Sequence, residues 1–485
     1  MKDVVIKDFY LGIGESEFVG NGEIRNCDTS WKKGVLRIGY ESVSTSTGTV
    51  TTLPIWILAD PDASVRQQWA IDDGIRVYRG TASANQWSVE YTQPGRVPGL
   101  AVWKDHVITT TSTSVIGYGP ISIPGAATTY VIGNMDSDTA FHPMIVGQDD
   151  ILYGGAGRYV FSLQEVSGQD FRAGTAATFT FTSRALDLPE QYRVRCIEEL
   201  GEKLMIGTWV GNNIQDQKVA DIFPWDRTSD SFGLPIRMRD NGIQSMLNVD
   251  GLLYFFSGLR GNLNATDGST VKELIKEIPQ QIINNDGGLG IFEMLPSQMI
   301  QHGGKIIFAS NSNTFDTNYA FSYEISSDSL AIENTVSGGT GGSMALGGLL
   351  SVTTRDYLIG WDNGSSAAID ELTGGRRYSS YSAFATSPYI KMGTKSNPEP
   401  LSEIEISLEK PLTTGEGIRL SYRTDTSASF TTIPDGTVDF ATYGAVQEQH
   451  IPFRLEVTNG IQIRVEVTTG SAASNTPGLT QVILR

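Results

Sequence analysis

The sequence predicts an all-β protein: a β-propeller of about seven blades, with an extended N-terminal arm before it and a C-terminal β-sandwich after it. Three observations carry this expectation. Turn-and-strand units recur at a nearly constant interval through the middle of the chain. The composition suits strands joined by turns. Near residue 380 the strand pattern changes from continuous apolar runs to strict in–out alternation.

The first 44 residues read as an arm ending in a first closing strand. The stretch NGEIRNCDTSWKKGVLRIGYESV, from Asn21 to Val43, is polar and turn-rich through Ser30 and becomes strand-like from Val35 to Tyr40. The opening MKDVVIKDFYLGIGE lacks the uninterrupted apolar run of a secretory signal. No window approaches the 18 or so apolar residues of a membrane span, so a soluble chain made in a cytosol is expected.

Residues 45–380 are assigned to the propeller. The turn-led strands are VWKDHVITTT, GQDDILYGG, LGEKLMIGTWVG, NVDGLLYFFSG, QHGGKIIFAS and ALGGLLSVTT, with turns near Lys104, Asp149, Glu202, Asp250, Gly303 and Gly347. The intervals, 45, 53, 48, 53 and 44 residues, match the period of propeller blades. Each turn is expected to feed an inner strand buried on both faces, hence a continuous apolar run. Neighbouring strands such as RYVFSLQEV, VADIFPWDR, NYAFSYEIS and YLIGWDN would complete the blades. PIWILADPDASVRQQWAIDDGIRVYRG reads as a further, earlier blade. A pair of β-sandwiches would also give regular short strands, but the even spacing favours the propeller. One helix is expected in TDGSTVKELIKEIP, where Thr270 and Glu273 form a capping-box pattern and Pro279 ends the run.

Residues 381–485 are assigned to the sandwich. In GIQIRVEVTT, Ile461, Ile463, Val465 and Val467 alternate with Gln462, Arg464 and Glu466, the mark of a sheet with one wet face. LSEIEISLEK, GIRLSYRTD, IPFRLEVTN and LTQVILR repeat the pattern.

The totals bound the function. The 485 residues carry a net charge of −18, with 53 Gly and only 19% charged residues. That acidity opposes a groove gripping nucleic acid, because phosphate binding relies on Lys and Arg. It is compatible with a surface along which nucleic acid slides. Cys27 and Cys196 are the only cysteines, too few for a disulfide framework or structural zinc site; two buried thiols are expected, with one bridge between them as the alternative.

No catalytic, cofactor or metal residues are assigned. His106, His142, His302 and His450 fall in different units and read as isolated surface or turn residues. Ser269-x-x-Lys272 has the spacing of an acyl-transfer pair, but Ser269 reads better as a helix cap. Gly12-x-Gly14 has Glu17 where a dinucleotide loop needs its third glycine. Asn134, Asp136 and Asp138 alternate as in a calcium loop but lack the distal Glu. The acidic pairs Asp72/Asp73, Asp149/Asp150 and Glu198/Glu199 sit beside predicted turns, where carboxylates are ordinarily solvated, although a glycosidase also needs two. Trp69, Trp87, Trp209 and Trp225 would stack on sugar rings in a lectin and pack between blades otherwise.

The arm NGEIRNCDTSWKKGVLRIGY and the distal segment SSYSAFATSPYIKMGTKSNPEPLSEIEISLE, with GIRLSYRTD, IQIRVEVTT and LTQVILR, resemble tailed-bacteriophage virion proteins of the tail nozzle and tail hub type. The resemblance lies in architecture and loose phrasing over nearly the whole chain. It implies a structural, non-enzymatic role without cofactors: a subunit of a homo-oligomeric ring, commonly sixfold, in the virion tail. Such a ring adjoins portal-adaptor and fibre proteins and lets double-stranded DNA pass without specific binding. Residues 1–34 would then tie one subunit to the next by strand addition. A carbohydrate-binding tail adhesin and a propeller glycoside hydrolase are the alternative expectations.

Overall fold

The computed structural model describes residues 4–6, 23–25, 27–28, 36–38, 40–45, 49–60, 67–81, 86–96, 98–123, 126–138, 140–166, 178–211, 220–238, 240–276, 278, 291–311, 320–326, 328–334, 336–338, 344–353, 356–377, 383–426, 428–469 and 477–485. Five short strands come from the N-terminal segment: β1 (Val4–Ile6), β2 (Glu23–Arg25), β3 (Cys27–Asp28), β4 (Arg37–Ile38) and β5 (Tyr40–Ser44).

Antiparallel four-stranded meanders follow. Blade I is β6 (Pro54–Ala59), β7 (Gln67–Asp72), β8 (Arg76–Thr81) and β9 (Gln86–Thr92). Blade II is β10 (Leu100–Trp103), β11 (His106–Thr110), β12 (Ser114–Gly119) and β13 (Thr128–Asn134). Blade III is β14 (Met144–Val146), β15 (Leu152–Ala156), β16 (Tyr159–Glu165) and β17 (Phe179–Asp187). Blade IV is β18 (Tyr192–Leu200), β19 (Lys203–Val210), β20 (Ala220–Trp225) and β21 (Ile236–Met238). Blade V is β22 (Ile243–Val249), β23 (Leu252–Ser257), β24 (Asn262–Thr266) and β25 (Val271–Ile275). Blade VI is β26 (Met299–His302), β27 (Lys305–Ala309), β28 (Ala320–Glu324) and β29 (Ser329–Asn334). Blade VII takes β30 (Ala345–Ser351), β31 (Tyr357–Asp362) and β32 (Ala367–Arg377) from its own segment, and its outer strand is β5. The first strand of each blade touches the first strand of the next, and β30 touches β6, so the ring is closed.

The core is a set of slabs between blades. Ile55, Trp69 and Val77 of blade I meet Leu100 and Val107 of blade II. The other face of blade II, with Ala101 and Ile108, meets Leu152 and Phe161 of blade III. The same alternation continues to the slab where Ile57, Tyr78 and Trp87 of blade I meet Leu358 and Ile369 of blade VII. Period-2 alternation supplies both slabs because each blade is apolar on both faces.

The hairpin turns come from residues that accept positive φ. Lys104 and Asp105, Asp250 and Gly251, and Gly303 and Gly304 are the two-residue loops of blades II, V and VI, each with both φ angles positive. That geometry matches the twist of the flanking strands. The turn feeds the second strand of each blade, however, and the innermost strand precedes it; this corrects the expected order. The second strands β11, β15 and β27 are buried throughout because they have sheet neighbours on both sides and a blade on both faces. Gly347 is no turn. It lies within β30, at a register shift between Leu346 and Leu349, where its backbone crosses that of Pro54.

The expected helix in residues 266–279 is corrected as well. Val271–Ile275 forms β25, paired with β24 from Val271↔Thr266 to Ile275↔Leu263. The capping pattern serves a hairpin turn instead: Asp267 Oδ1 accepts from the backbone N–H groups of Ser269, at 2.8 Å, and Thr270, at 2.9 Å. An Asx turn and a helix cap use the same acceptor chemistry. Tertiary pairing to β24 decides between them.

The C-terminal segment is a sandwich. Its strands are β33 (Ala383–Thr386), β34 (Glu399–Leu408), β35 (Gly417–Arg423), β36 (Thr431–Asp439), β37 (Glu448–Val457), β38 (Gln462–Thr468) and β39 (Leu479–Leu484), with a single helical turn, α1 (Phe440–Tyr443), between β36 and β37. One sheet has the order β1-β39-β34-β37. The other runs β2-β33-β38-β35-β36 and is continuous with blade VI through a parallel pairing of β2 with β29. The sandwich core and the slab between blades V and VI form one apolar cluster. The arm's described strands therefore bind within their own chain: β1 on β39, β2 between β29 and β33, β3 on β4.

At Gly347 an added Cβ would sit within the van der Waals radius of the Pro54 carbonyl oxygen, whereas Gly95 has open space around it. Gly347→Ala is expected to lower stability by about 3 kcal/mol or more, as forced overpacking does. Gly95→Ala should shift it by less than about 0.5 kcal/mol, and urea unfolding of both variants checks the contrast.

Candidate functional site: the cavities at the centre of the propeller

Four innermost strands are bulged. Against their second strands, β6 shifts register between Pro54 and Trp56, β18 between Val194 and Cys196, β22 between Ile243 and Ser245, and β30 between Leu346 and Leu349. Bulges re-aim side chains and free backbone groups for other partners. Here those groups hold the segment Phe292–Gln298, just before β26. Arg195 Nη2 donates to the Met294 carbonyl at 2.6 Å. Gln244 donates to the Phe292 carbonyl at 3.0 Å and accepts from the Met294 N–H at 2.7 Å. Ser245 donates to the Pro296 carbonyl at 2.9 Å, Ser297 to the Ile55 carbonyl, and Gln298 to the Leu346 carbonyl at 2.5 Å.

Beneath this segment lies an apolar cavity of about 240 Å³, lined by innermost-strand residues including Trp56, Met144, Ile197, Met246, Met299 and Leu349. Glu198 also borders it. Loss of water around the carboxyl, with Glu199 nearby, pushes the Glu198 pKa up to about 7. The lining draws on the innermost strands of six blades, so the cavity lies where they converge.

A larger cavity of about 700 Å³ opens beside that segment. The loop between β9 and β10 contributes Arg96; the β13–β14 loop contributes Asp136, Asp138 and Phe141; the β15–β16 turn contributes Arg158 and Tyr159. Glu190, Arg193, Arg195, Trp209 and Glu293 complete the wall. Arg195, the extra residue of the β18 bulge, is 6% exposed. Its guanidinium lies 4.1 Å from the Trp209 ring centroid and 4.9 Å from that of Phe141, and Arg96 stacks on Phe141 at 5.0 Å. Burial lowers the Arg195 pKa to about 10, with Glu293 acting in opposition. Among the described residues no carboxylate lies within ion-pair distance of Arg195, while Arg96 pairs with Asp73 at 2.5 Å and Arg158 with Asp187 at 3.1 Å.

The residues singled out in the sequence have mostly structural partners. His106 and His142 are fully buried, not at the surface. His106 Nδ1 contacts the Lys104 carbonyl at 2.6 Å; His142 is 3.9 Å from Asp138, and burial drops its pKa to about 4. His302 bonds to Ser351, and His450 contacts Glu403. Glu405, Glu448 and His450 bring one ligand atom each within 4.8 Å of the others, but Arg485 pairs with Glu405 at 2.5 Å. Asn134, Asp136 and Asp138 do not converge: Asn134 accepts from Ser114, Asp136 pairs with Arg184 at 2.9 Å, and Asp138 accepts from the Gly157 N–H at 2.6 Å.

The acidic pairs are not simply solvated. Asp72 is buried and accepts from the Tyr78 hydroxyl at 2.7 Å. Asp149 accepts from the Tyr153 hydroxyl, Asp150 meets Lys104, and Glu199 pairs with Arg227 at 2.5 Å. Trp69, Trp87, Trp209 and Trp225 are 0%, 5%, 7% and 2% exposed; they pack. Ser269 donates to Asp267, and Lys272 stands on β25. Cys196 is a buried free thiol, and Gly12, Gly14 and Glu17 lie outside the described residues. Arg195 escaped the sequence reading, yet YRVRCIEEL did signal it: two arginines interrupt a strand otherwise fit for the ring's centre.

No protein-family model matches the chain. No curated protein matches it either. Among solved structures, the chain is similar to Raptor of Chaetomium thermophilum, with TM-score 0.46 and 10% identity over 70% of this chain and 29% of that one. It is also similar to the Pan2 WD40 domain of Neurospora crassa, with TM-score 0.44 and 8% identity over 70% and 98% of the two chains. An exo-β-1,3-galactanase from Phanerochaete chrysosporium, solved with galactose, gives TM-score 0.32 and 11% identity over 93% and 100%. The fold class is all-β propeller.

Because the folded state holds the Glu198 proton more tightly than the unfolded chain, this group's contribution is fully present below about pH 4.5 and is lost as the pH rises to about 7. Glu198→Gln should match the parent near pH 4.5 and be more stable at pH 8, by on the order of 2 kcal/mol. Thermal melts across that range read the difference.

Proposed function

We propose that this chain is a non-enzymatic structural subunit of a virion tail, one copy of a nozzle or hub ring from which DNA leaves. The carrying observation is the arm strand β2, paired to β29 of blade VI on one side and β33 of the sandwich on the other. A shared sheet and a shared apolar cluster join propeller and sandwich without a hinge. Such a joint suits a part that bears load in an assembly rather than one that opens and closes on substrate.

The net charge of −18 fits passage of DNA without capture. The DNA path in this proposal runs between copies of the chain, along outer faces. The ring's neighbours would be portal-adaptor and fibre proteins. The adhesin reading loses an exposed aromatic platform, because Trp69, Trp87 and Trp225 are buried and Trp209, at the wall of the larger cavity, is covered by Arg195. The hydrolase reading loses Asp72, Asp149, Asp150 and Glu199 to Tyr, Lys and Arg partners, which leaves Glu198 without its paired carboxylate free.

Quantitative peptide mass spectrometry on density-purified virus particles from the source culture tests the proposal. Several copies per particle, in constant ratio to the capsid protein, are expected. Absence from particles overturns it.

A further inference from the structure

We propose that the cavity around Arg195 is a binding site for an acidic saccharide, a hydroxylated ligand bearing one carboxylate. The inference goes beyond the assembly role and does not depend on it.

A buried guanidinium is costly unless its charge is answered. Arg195 is answered within the described chain only by one carbonyl, two ring faces and the Glu293 field. The bulge in β18 turns this side chain toward the cavity wall, and the Met294 carbonyl and the rings of Trp209 and Phe141 fix its plane. A planar fork held in this way matches a carboxylate, with which it can form two parallel bonds. Arg193, two residues earlier, also donates only to carbonyls, those of Glu190 and Tyr192 at 2.9 and 3.0 Å.

The remaining wall decides which anion. Glu190 and Glu293 line the cavity with side-chain carboxylates that accept no hydrogen bond among the described residues. Those oxygens can accept from hydroxyl groups, and their charge opposes a dianion such as phosphate. A cavity of about 700 Å³ is within the range of small-molecule sites. One carboxylate for Arg195 and several hydroxyls for the acidic rim describe a uronic-acid or sialic-acid unit.

The test is an array of uronic-acid and sialic-acid glycans, each printed beside its carboxyl-reduced neutral counterpart and probed with the full chain. At least one acidic member should bind, with its reduced partner weaker by about tenfold or more, since bonds to a charged group contribute about 1.5–3 kcal/mol. Arg195→Lys keeps the charge and loses the fork, so it should weaken the acidic glycan by about tenfold while leaving the weak neutral binding unchanged. Glu190, exposed at the rim, gives a second variant should Arg195→Lys fail to fold. Glu190→Gln should weaken the acidic and neutral members alike. Binding of no acidic member, equal binding of each acid and its reduced form, or unchanged binding in every folded variant overturns the proposal.

Discussion

The ring closes where blade VII meets blade I, and β5, from the first 44 residues, supplies the outer strand of blade VII, whose other strands begin at Ala345. Asp370 pairs with Ser44 and Leu372 with Ser42, so the junction joins segments more than three hundred residues apart. Loop closure over that length costs about 5 kcal/mol in chain entropy. The slab between blades VII and I offsets it: Ile57, Tyr78, Trp87, Leu358 and Ile369 are all buried there, and each such side chain contributes roughly 1.5–3 kcal/mol. Without closure, blades I and VII would each leave an apolar face in water. Every inter-blade slab depends on a neighbour on both sides, so the effect of closure is not confined to one seam.

The same constraint shapes the centre. Packing seven innermost strands around one axis brings their backbones together, and bulges in four of them relieve the crowding. The groups set free are answered by one segment, Phe292–Gln298, held by side chains or backbone of blades I, IV, V and VII. It lies over the convergence of the innermost strands. It also carries Glu293 to the cavity wall and anchors Arg195 through Met294. The structural device and the candidate site are therefore one arrangement.

Aromatic–carboxylate hydrogen bonds mark the blades repeatedly. The hydroxyls of Tyr78, Tyr153, Tyr192 and Tyr323 donate to Asp72, Asp149, Asp221 and Asp328, and Trp361 donates to Asp370. Each aromatic ring fills a slab while its polar end needs a partner. This explains why Asp72, beside a turn, is buried while Asp73, Asp149 and Asp150 are exposed as expected: the local sequence is the same, and only a neighbouring strand decides what covers the carboxylate. His106 and His142 were misplaced for a related reason. Isolated histidines look like surface residues until blade packing encloses them.

By itself the sequence determined the class of fold and the site of five hairpin turns. These rest on local physics: positive-φ residues at fixed offsets, continuous apolar runs for doubly covered strands, and alternation for a sheet with one wet face. Only the tertiary structure decided the rest. Val271–Ile275 has a helix-capping pattern before it and still forms a strand, because β24 offers a complete ladder. The arm's strands β1 and β2 pair with β39, β29 and β33, partners that no local pattern names. Arg195 became a candidate ligand-binding residue because a one-residue register shift, set by packing around the axis, turned it toward the cavity wall. Patterns of period two and turn chemistry are written along the chain; which distant strand fills a vacant edge depends on closure of the whole ring.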